Sequence, residues 1–227
     1  GNLGYTGGAN VALRDWLGGD ADTCVVGSHD LHVARDALSQ MKQVLADNPD
    51  VGIAGPTLNH EPSMPEPSPG VEDVAWVSGT CMMFRRTCIE QVGFFDERFH
   101  SYAEDFDICY RARKAGWRVV TGRSSVAHGL GTATGGQAAR RIANSVLFDV
   151  KHYGRLGGYR TLGRIVVSVP QSVIMGRPRR ALAHLAAIPQ AVRHIVTFRE
   201  PHGNGEGRPD ALTPGEKALD RGLEVIV

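Results

Sequence analysis

Three carboxylates fall within four residues at Glu104-Asp105-Phe106-Asp107, directly ahead of a stretch where Ile108, Cys109, Ala112 and Ala115 recur at helical spacing. Carboxylates at a helix start satisfy orphan N–H groups and face the positive end of the helix dipole. A carboxylate held rigidly in that position can also take the proton of an attacking hydroxyl, so at least one of the three is a candidate general base. A second group, Ser28-His29-Asp30, lies just past the short apolar run Thr23-Cys24-Val25-Val26-Gly27. Ligands bind open α/β sheets beyond the C-terminal ends of their strands. His128 stands alone in the glycine-rich turn Ala127-His128-Gly129. The opening run, Asn2-Leu3-Gly4-Tyr5-Thr6-Gly7-Gly8-Ala9-Asn10, reads as a loop whose backbone N–H groups could approach a phosphate, although it lacks the P-loop signature.

The elements that must position these residues follow from periodicity. After the loop comes a short helix over about 11–17. The strand 23–27, a helix over 34–47 ended by Asn48-Pro49-Asp50, and the strand 51–55 form a β-α-β unit, which predicts a parallel sheet. The proline-rich run 59–70 reads as an exposed, mobile loop. Strands are expected at 74–77, 81–84 and 117–120, with helices over 86–92, stopped by Gly93, and 105–115, stopped by Gly116. Three helical segments are expected at about 138–153, 159–175 and 178–198, broken by Gly154, Gly157-Gly158 and Gly176.

The chain has 227 residues, 42 % of them hydrophobic, and a net charge of +1. That neutral balance conceals an asymmetry. Residues 1–139 carry 11 basic and 17 acidic side chains, and residues 200–227 carry three basic and six acidic. Residues 140–199 carry 11 basic side chains against the single acid Asp149, a net of +10. Basic amphipathic helices of this kind read as elements for an anionic membrane surface, and the charge-rich end as a disordered tail. The domain reading is therefore a catalytic core at 1–137, a helical arm at 138–199 and a tail at 200–227. No apolar run is long enough to span a bilayer, and no signal peptide opens the chain. Cys24, Cys81, Cys88 and Cys109 show no C-x-x-C spacing, which argues against structural zinc and for a reducing compartment.

Several blocks occur in a specific order: Gly79-Thr80-Cys81-Met82-Met83-Phe84-Arg85-Arg86, then Val92-Gly93-Phe94-Phe95-Asp96-Glu97-Arg98-Phe99, then Tyr102-Ala103-Glu104-Asp105-Phe106-Asp107 and Ala115-Gly116-Trp117. In this order and spacing the chain resembles the inverting family 2 glycosyltransferases, in particular their rhamnosyltransferase-like branch. The resemblance covers about residues 1–150. It implies a GT-A, Rossmann-like α/β fold with a mostly parallel sheet and flanking helices, N-terminally incomplete because the family's opening base-reading strand precedes the first block seen here. It implies transfer of a sugar, rhamnose in that branch, from a nucleotide-diphosphate donor to a glycan or lipid-linked acceptor with inversion, in cell-envelope or polysaccharide synthesis. Asp105 then maps to the base and Glu104 to its neighbour. Asn2, Gly7, Gly8 and Asn10 fall in the family's Asn/Gly-rich block and would hold the donor. Asp30 and His128 map to positions at a divalent Mg²⁺ or Mn²⁺ ion, with Ser28 where relatives have the first acid. The expected location is cytoplasmic, peripheral on the inner face of the plasma membrane, with no nucleic-acid partner. The alternative is a non-catalytic GT-A-like module that binds a glycan or partner protein.

Overall fold

The structure, a computed structural model, describes residues 1–59, 70–128 and 135–199. The proline-rich loop expected at 59–70 and the tail expected at 200–227 lie almost entirely outside the described residues. The chain forms two compact units. The first combines Gly1–His100 with Glu104–Gly131, and the second combines Ser101–Ala103 with Thr132–Val227.

The first unit is an α/β sandwich. Its elements run α1 (Gly4–Leu17), β1 (Thr23–Gly27), β2 (Leu31–Val33), α2 (Ala37–Asp47), β3 (Val51–Asn59), β4 (Val71–Asp73), β5 (Cys81–Arg85), α3 (Arg86–Val92), α4 (Glu104–Lys114) and β6 (Arg118–His128). The strand order is β1-β5-β3-β6-β2, with β4 also pairing with β6. The α/β class is as expected, but the strands pair mostly antiparallel, and β3 with β6 is the parallel pair. The β-α-β reading was right about direction and wrong about adjacency. β1 and β3 run the same way, but β5 inserts between them, antiparallel to both. Local periodicity specifies a crossover, yet nothing local says which later strand will fill the gap it leaves.

β5 fills that gap because its side chains are apolar on both faces. Met82 and Phe84 join Leu13, Ile53, Ile89 and Ile108 on one side. Cys81 and Met83 join Met41, Val44, Leu45 and Val120 on the other. α2 thus covers one face, and α1, α3 and α4 cover the opposite one. Two consecutive arginines fasten the ends of these helices. Arg85 donates to the carbonyls of Val51, at 2.7 Å, and Asn48, at 3.0 Å, behind α2. Arg86 donates to Leu17, at 3.1 Å, and Trp16, at 3.0 Å, in the last turn of α1, where orphan carbonyls and the negative dipole end favour a cation.

Three local expectations change. The glycine-rich opening run is helical from Gly4, not a loop, because Tyr5, Thr6, Ala9, Asn10 and Leu13 bury one face against the sheet unit and override glycine's poor helix propensity. Val74–Val77 is irregular, and the strand lies just before it at β4. Trp76 instead packs on Phe106, ring centroids 4.2 Å apart. His128 is not in a turn; it ends the long strand β6.

The second unit is helical, with α5 (Gly135–Ile174) and α6 (Pro178–Thr197). α5 is interrupted at Gly154, where φ is +72°, a conformation that glycine adopts without penalty. The core of this unit joins Ala143, Val146 and Val150 before the break to Ile165 after it and to Ala187, Ala191 and Ile195 of α6.

Candidate functional site

The three carboxylates of α4 have different surroundings. Asp107 is fully buried and pairs with Arg111 at 2.9 Å, one turn along the helix. Arg111 also donates to the carbonyls of Val92 and, at 2.8 Å, Phe94. That side chain therefore ties α4 to the end of α3, and removing one member of such a buried pair costs about 3–5 kcal/mol. Glu104 is buried at the first position of α4. Asp105 alone of the three is half-exposed. Its Oδ2 accepts from the Gly79 N–H at 2.9 Å and its Oδ1 from the Phe106 N–H at 2.9 Å. These backbone donors fix the orientation of a carboxylate that solvent, and hence a substrate, can reach.

Gly79 is the hub of this arrangement. A Cβ placed there would lie 3.4 Å from the Asp105 Cβ, 3.4 Å from Glu104 Oε1 and 3.5 Å from Tyr5 Oη. The Tyr5 phenol donates to the Gly79 carbonyl. Burial, then the negative charges of Glu104 and Asp105, push the Tyr5 hydroxyl well above its ordinary pKa, so it remains a donor. The sequence reading missed Tyr5 because a tyrosine in an apparent loop carries no pattern. Its placement three residues before Gly8 on a helical face was the available signal.

The other residues of the opening run lie on α1 or just ahead of it. Asn2 accepts from the Gly4 N–H at 2.9 Å, bracing the start of α1. Gly7 is buried, with room beside it only for the Leu3 side chain, whereas Gly8 faces open space. Asn10 is buried and grips Phe95 in both directions, donating to its carbonyl at 2.9 Å and accepting from its N–H at 3.0 Å, while also donating to Glu97 at 3.0 Å. Thr6 donates to the His100 carbonyl through its backbone N–H, at 3.1 Å, and through its hydroxyl, at 3.2 Å. α1 thus braces the segment that leads to the carboxylates.

That segment is conformationally strained. His100, Tyr102 and Ala103 have φ of +59°, +73° and +69°, the left-handed region that costs non-glycine residues about 1–3 kcal/mol each. Within the second unit, Asn144 donates to the carbonyls of Ser101, at 2.9 Å, and Tyr102, at 2.8 Å, and the Arg141 guanidinium lies 5.1 Å from the Tyr102 ring centre. Asn144 is a second residue that the sequence did not reveal, since an asparagine in an amphipathic helix reads as surface.

Asp30 and His128 are near each other along the strand register. Leu31 of β2 pairs with His128 of β6, so Asp30 precedes the residue opposite the histidine. Cα atoms of such partners lie about 4.5–5.5 Å apart. Among the described residues no cluster of three or more His, Cys, Asp or Glu side chains could enclose an ion by itself. By residue type alone, a carboxylate and an imidazole are ligands that a divalent ion accepts alongside diphosphate oxygens and water. Beside the carboxylate cluster, Ser78 borders a recess of about 230 Å³, also lined by Pro56, Leu58, Trp76 and Thr121.

The fold and site together define an α/β protein with a backbone-oriented carboxylate at a helix start. Residues 68–143 match the family described as "Glycosyl transferase family group 2". That segment contains Gly79 and the three carboxylates of α4. It is 41 % identical over 76 residues to the N-acetylglucosaminyl-diphospho-decaprenol L-rhamnosyltransferase of Mycobacterium tuberculosis, over 33 % of this chain and 25 % of that one. It is 26 % identical over 136 residues to the low-salt glycan biosynthesis hexosyltransferase Agl10 of Haloferax volcanii, over 50 % of this chain and 44 % of that one. The chain thus spans between a quarter and under half of the length of these relatives. A solved mannosyltransferase, PcManGT from Pyrobaculum calidifontis in complex with GDP-Man and Mn²⁺, aligns over 95 % of this chain and 59 % of its own with a TM-score of 0.45 and 15 % identity.

Proposed function

We propose that this chain carries the acceptor-activating half of an inverting glycosyltransferase that uses a nucleotide-diphosphate sugar. The observation that supports this most is the contrast within α4: Asp105 is half-exposed and oriented by Gly79 and Phe106, while Glu104 and Asp107 are buried. Asp105 accepts the proton of the acceptor hydroxyl as that oxygen forms its bond to the anomeric carbon. The bond from that carbon to the diphosphate oxygen breaks on the opposite face, and its electron pair leaves with the nucleoside diphosphate. Attack and departure on opposite faces invert the anomeric centre. Glu104, beside Asp105 and Gly79, sets the local polarity and helps to bind the acceptor.

A divalent ion bound at Asp30 and His128 would supply countercharge for the departing diphosphate. Asn2, Gly7 and Gly8 are assigned to the donor side, although Asn10 is committed to Phe95. By kinship with the rhamnosyltransferase, the sugar is rhamnose and the acceptor a polyprenyl-diphosphate-linked glycan. We assign residues 1–137 to this catalytic core and 138–199 to an arm that holds the protein peripherally on the cytoplasmic side of an anionic membrane.

The test is Asp105→Asn in the full chain, supplied with donor, Mn²⁺ and a soluble acceptor. Transfer should fall about 10²- to 10⁴-fold, the usual contribution of a general base, while the protein stays folded and melts slightly lower, because the amide can accept only one of the two backbone N–H bonds. Transfer that survives in this variant removes Asp105 from the role. A second reading, a non-catalytic glycan- or partner-binding module, is favoured by Ser28 in place of the first acid of the metal triplet. Calorimetry with nucleoside diphosphate decides between them, since absence of binding at any Mn²⁺ concentration supports the module.

A further inference from the structure

The helical unit has a buried core that includes Val146, Val150, Ile165 and Ile195, but it leaves two aliphatic helix faces exposed. α6 buries Ala181, Ala187, Ala191 and Ile195 but exposes Leu182, Leu185, Pro189, Val192 and Val196, which share one face at 3- and 4-residue spacing. The second half of α5 repeats the pattern. Gly158, Thr161, Ile165 and Ser172 are buried, and Leu156, Tyr159, Val166, Val167, Val173 and Ile174 are exposed along another single face. Gly158 shows how close the buried approach is, because a Cβ there would lie 2.2 Å from a Val150 methyl and 3.2 Å from Ile195. In water, large aliphatic residues usually go inside. Small residues at the helix–helix contact with large aliphatics outward is the arrangement that helices adopt in lipid.

The turn between the two helices concentrates this pattern. Val173, Ile174 and Met175 are 61 %, 85 % and 67 % exposed, and Arg177, Arg179 and Arg180 follow at once. No described helix is long and apolar enough to cross a membrane. We infer that this hairpin tip inserts shallowly into an anionic bilayer, with Val173, Ile174, Met175 and Leu182 among the acyl chains and the three arginines at the phosphates. Charge selects the occupant. With 11 basic side chains and one acidic over residues 140–199, two of these hairpins packed face to face would bring like charges together, whereas an anionic bilayer neutralises them. The exposed faces are also almost wholly aliphatic, unlike the aromatic-anchored centres of protein interfaces. The inference rests on the reading of the arm as membrane-facing and not on the chemistry of Asp105.

The experiment is flotation of the full chain with phosphatidylcholine vesicles, with and without phosphatidylglycerol, alongside transfer to a soluble acceptor. Binding should require the anionic lipid and weaken as salt is raised. Arg177→Gln, Arg179→Gln and Arg180→Gln together should weaken it on the order of a hundred-fold, at roughly fivefold per arginine. Ile174→Glu with Leu182→Glu should abolish it while the soluble-acceptor reaction and the circular-dichroism melt stay at parental values. If the full chain ignores anionic vesicles at low salt, or if the arginine variant binds as tightly as the parent, the inference is overturned even where transfer persists. A stable dimer dispersed by the same glutamate substitutions would overturn it in favour of a copy-to-copy interface.

Discussion

Tyr5 and Asp105 hold the same glycine from opposite sides: the phenol donates to the Gly79 carbonyl, and the carboxylate accepts from the Gly79 N–H at 2.9 Å. The orientation of Asp105 therefore depends on a helix 100 residues earlier in the chain.

Tyr5→Phe tests that dependence. The phenylalanine ring keeps the edge contact with Phe95, at 5.9 Å between centroids, and loses only the hydroxyl. Stability should fall by about 0.5–1.5 kcal/mol. The turnover number should fall with KM unchanged, which steady-state kinetics will separate from a general loss of folded protein.

Asn144→Ala removes the donor that spans two carbonyls of the strained turn 101–103. The cost should be about 1–3 kcal/mol, the range for leaving buried polar groups unsatisfied. Hydrogen exchange of amides 101–106 should accelerate more than that of the rest of α5, whereas a uniform increase would mean that Asn144 merely stabilises the unit.

Asn10→Ala distinguishes bracing from donor binding. Its amide serves both backbone groups of Phe95, so about 1–3 kcal/mol should be lost, lowering the melting temperature by about 2–4 °C per kcal/mol. Calorimetry with nucleoside diphosphate should give an unchanged affinity. A large loss of affinity in a variant that melts normally would return Asn10 to the donor site.

Asp30→Asn and His128→Ala should each weaken Mn²⁺ binding, measured by spin-resonance titration in the presence of nucleoside diphosphate, by more than about tenfold. If both variants bind Mn²⁺ normally, the register pairing of β2 with β6 is only structural.

The buried thiols predict an alkaline limit. Burial pushes Cys81 up to about 11 and Cys88 up to about 12, above the thiol range of an unfolded chain. A raised folded pKa means that the stabilisation is complete below about pH 8.5 and is lost as pH rises towards those values. Urea midpoints should therefore fall between pH 8.5 and 11, and Cys88→Ala should flatten that decline. A decline of the same steepness in the variant would assign it to other groups.

How much of this was legible in the sequence depended on whether the controlling contact was local. Helix α3 was read at its observed bounds because Gly93 terminates it, and the carboxylates fell at the start of α4 as their spacing required. Placing β5 between β1 and β3 required knowing a long-range pairing, and so did seeing the opening run as a helix held by Gly79 and His100. Tyr5 and Asn144 escaped notice for the same reason, since each acts on backbone 42 or more residues away. The pairing of Asp107 with Arg111 is local, one turn along α4, and its spacing is visible in the sequence.

The turn 101–103 belongs with the helices although the residues on both sides of it belong with the sheet. The chain therefore crosses from one unit to the other three times, and no single cleavage divides it into two self-sufficient pieces. Expression of the sheet unit alone would keep Glu104 and Asp105 but lose Asn144, which holds the left-handed residues just ahead of them.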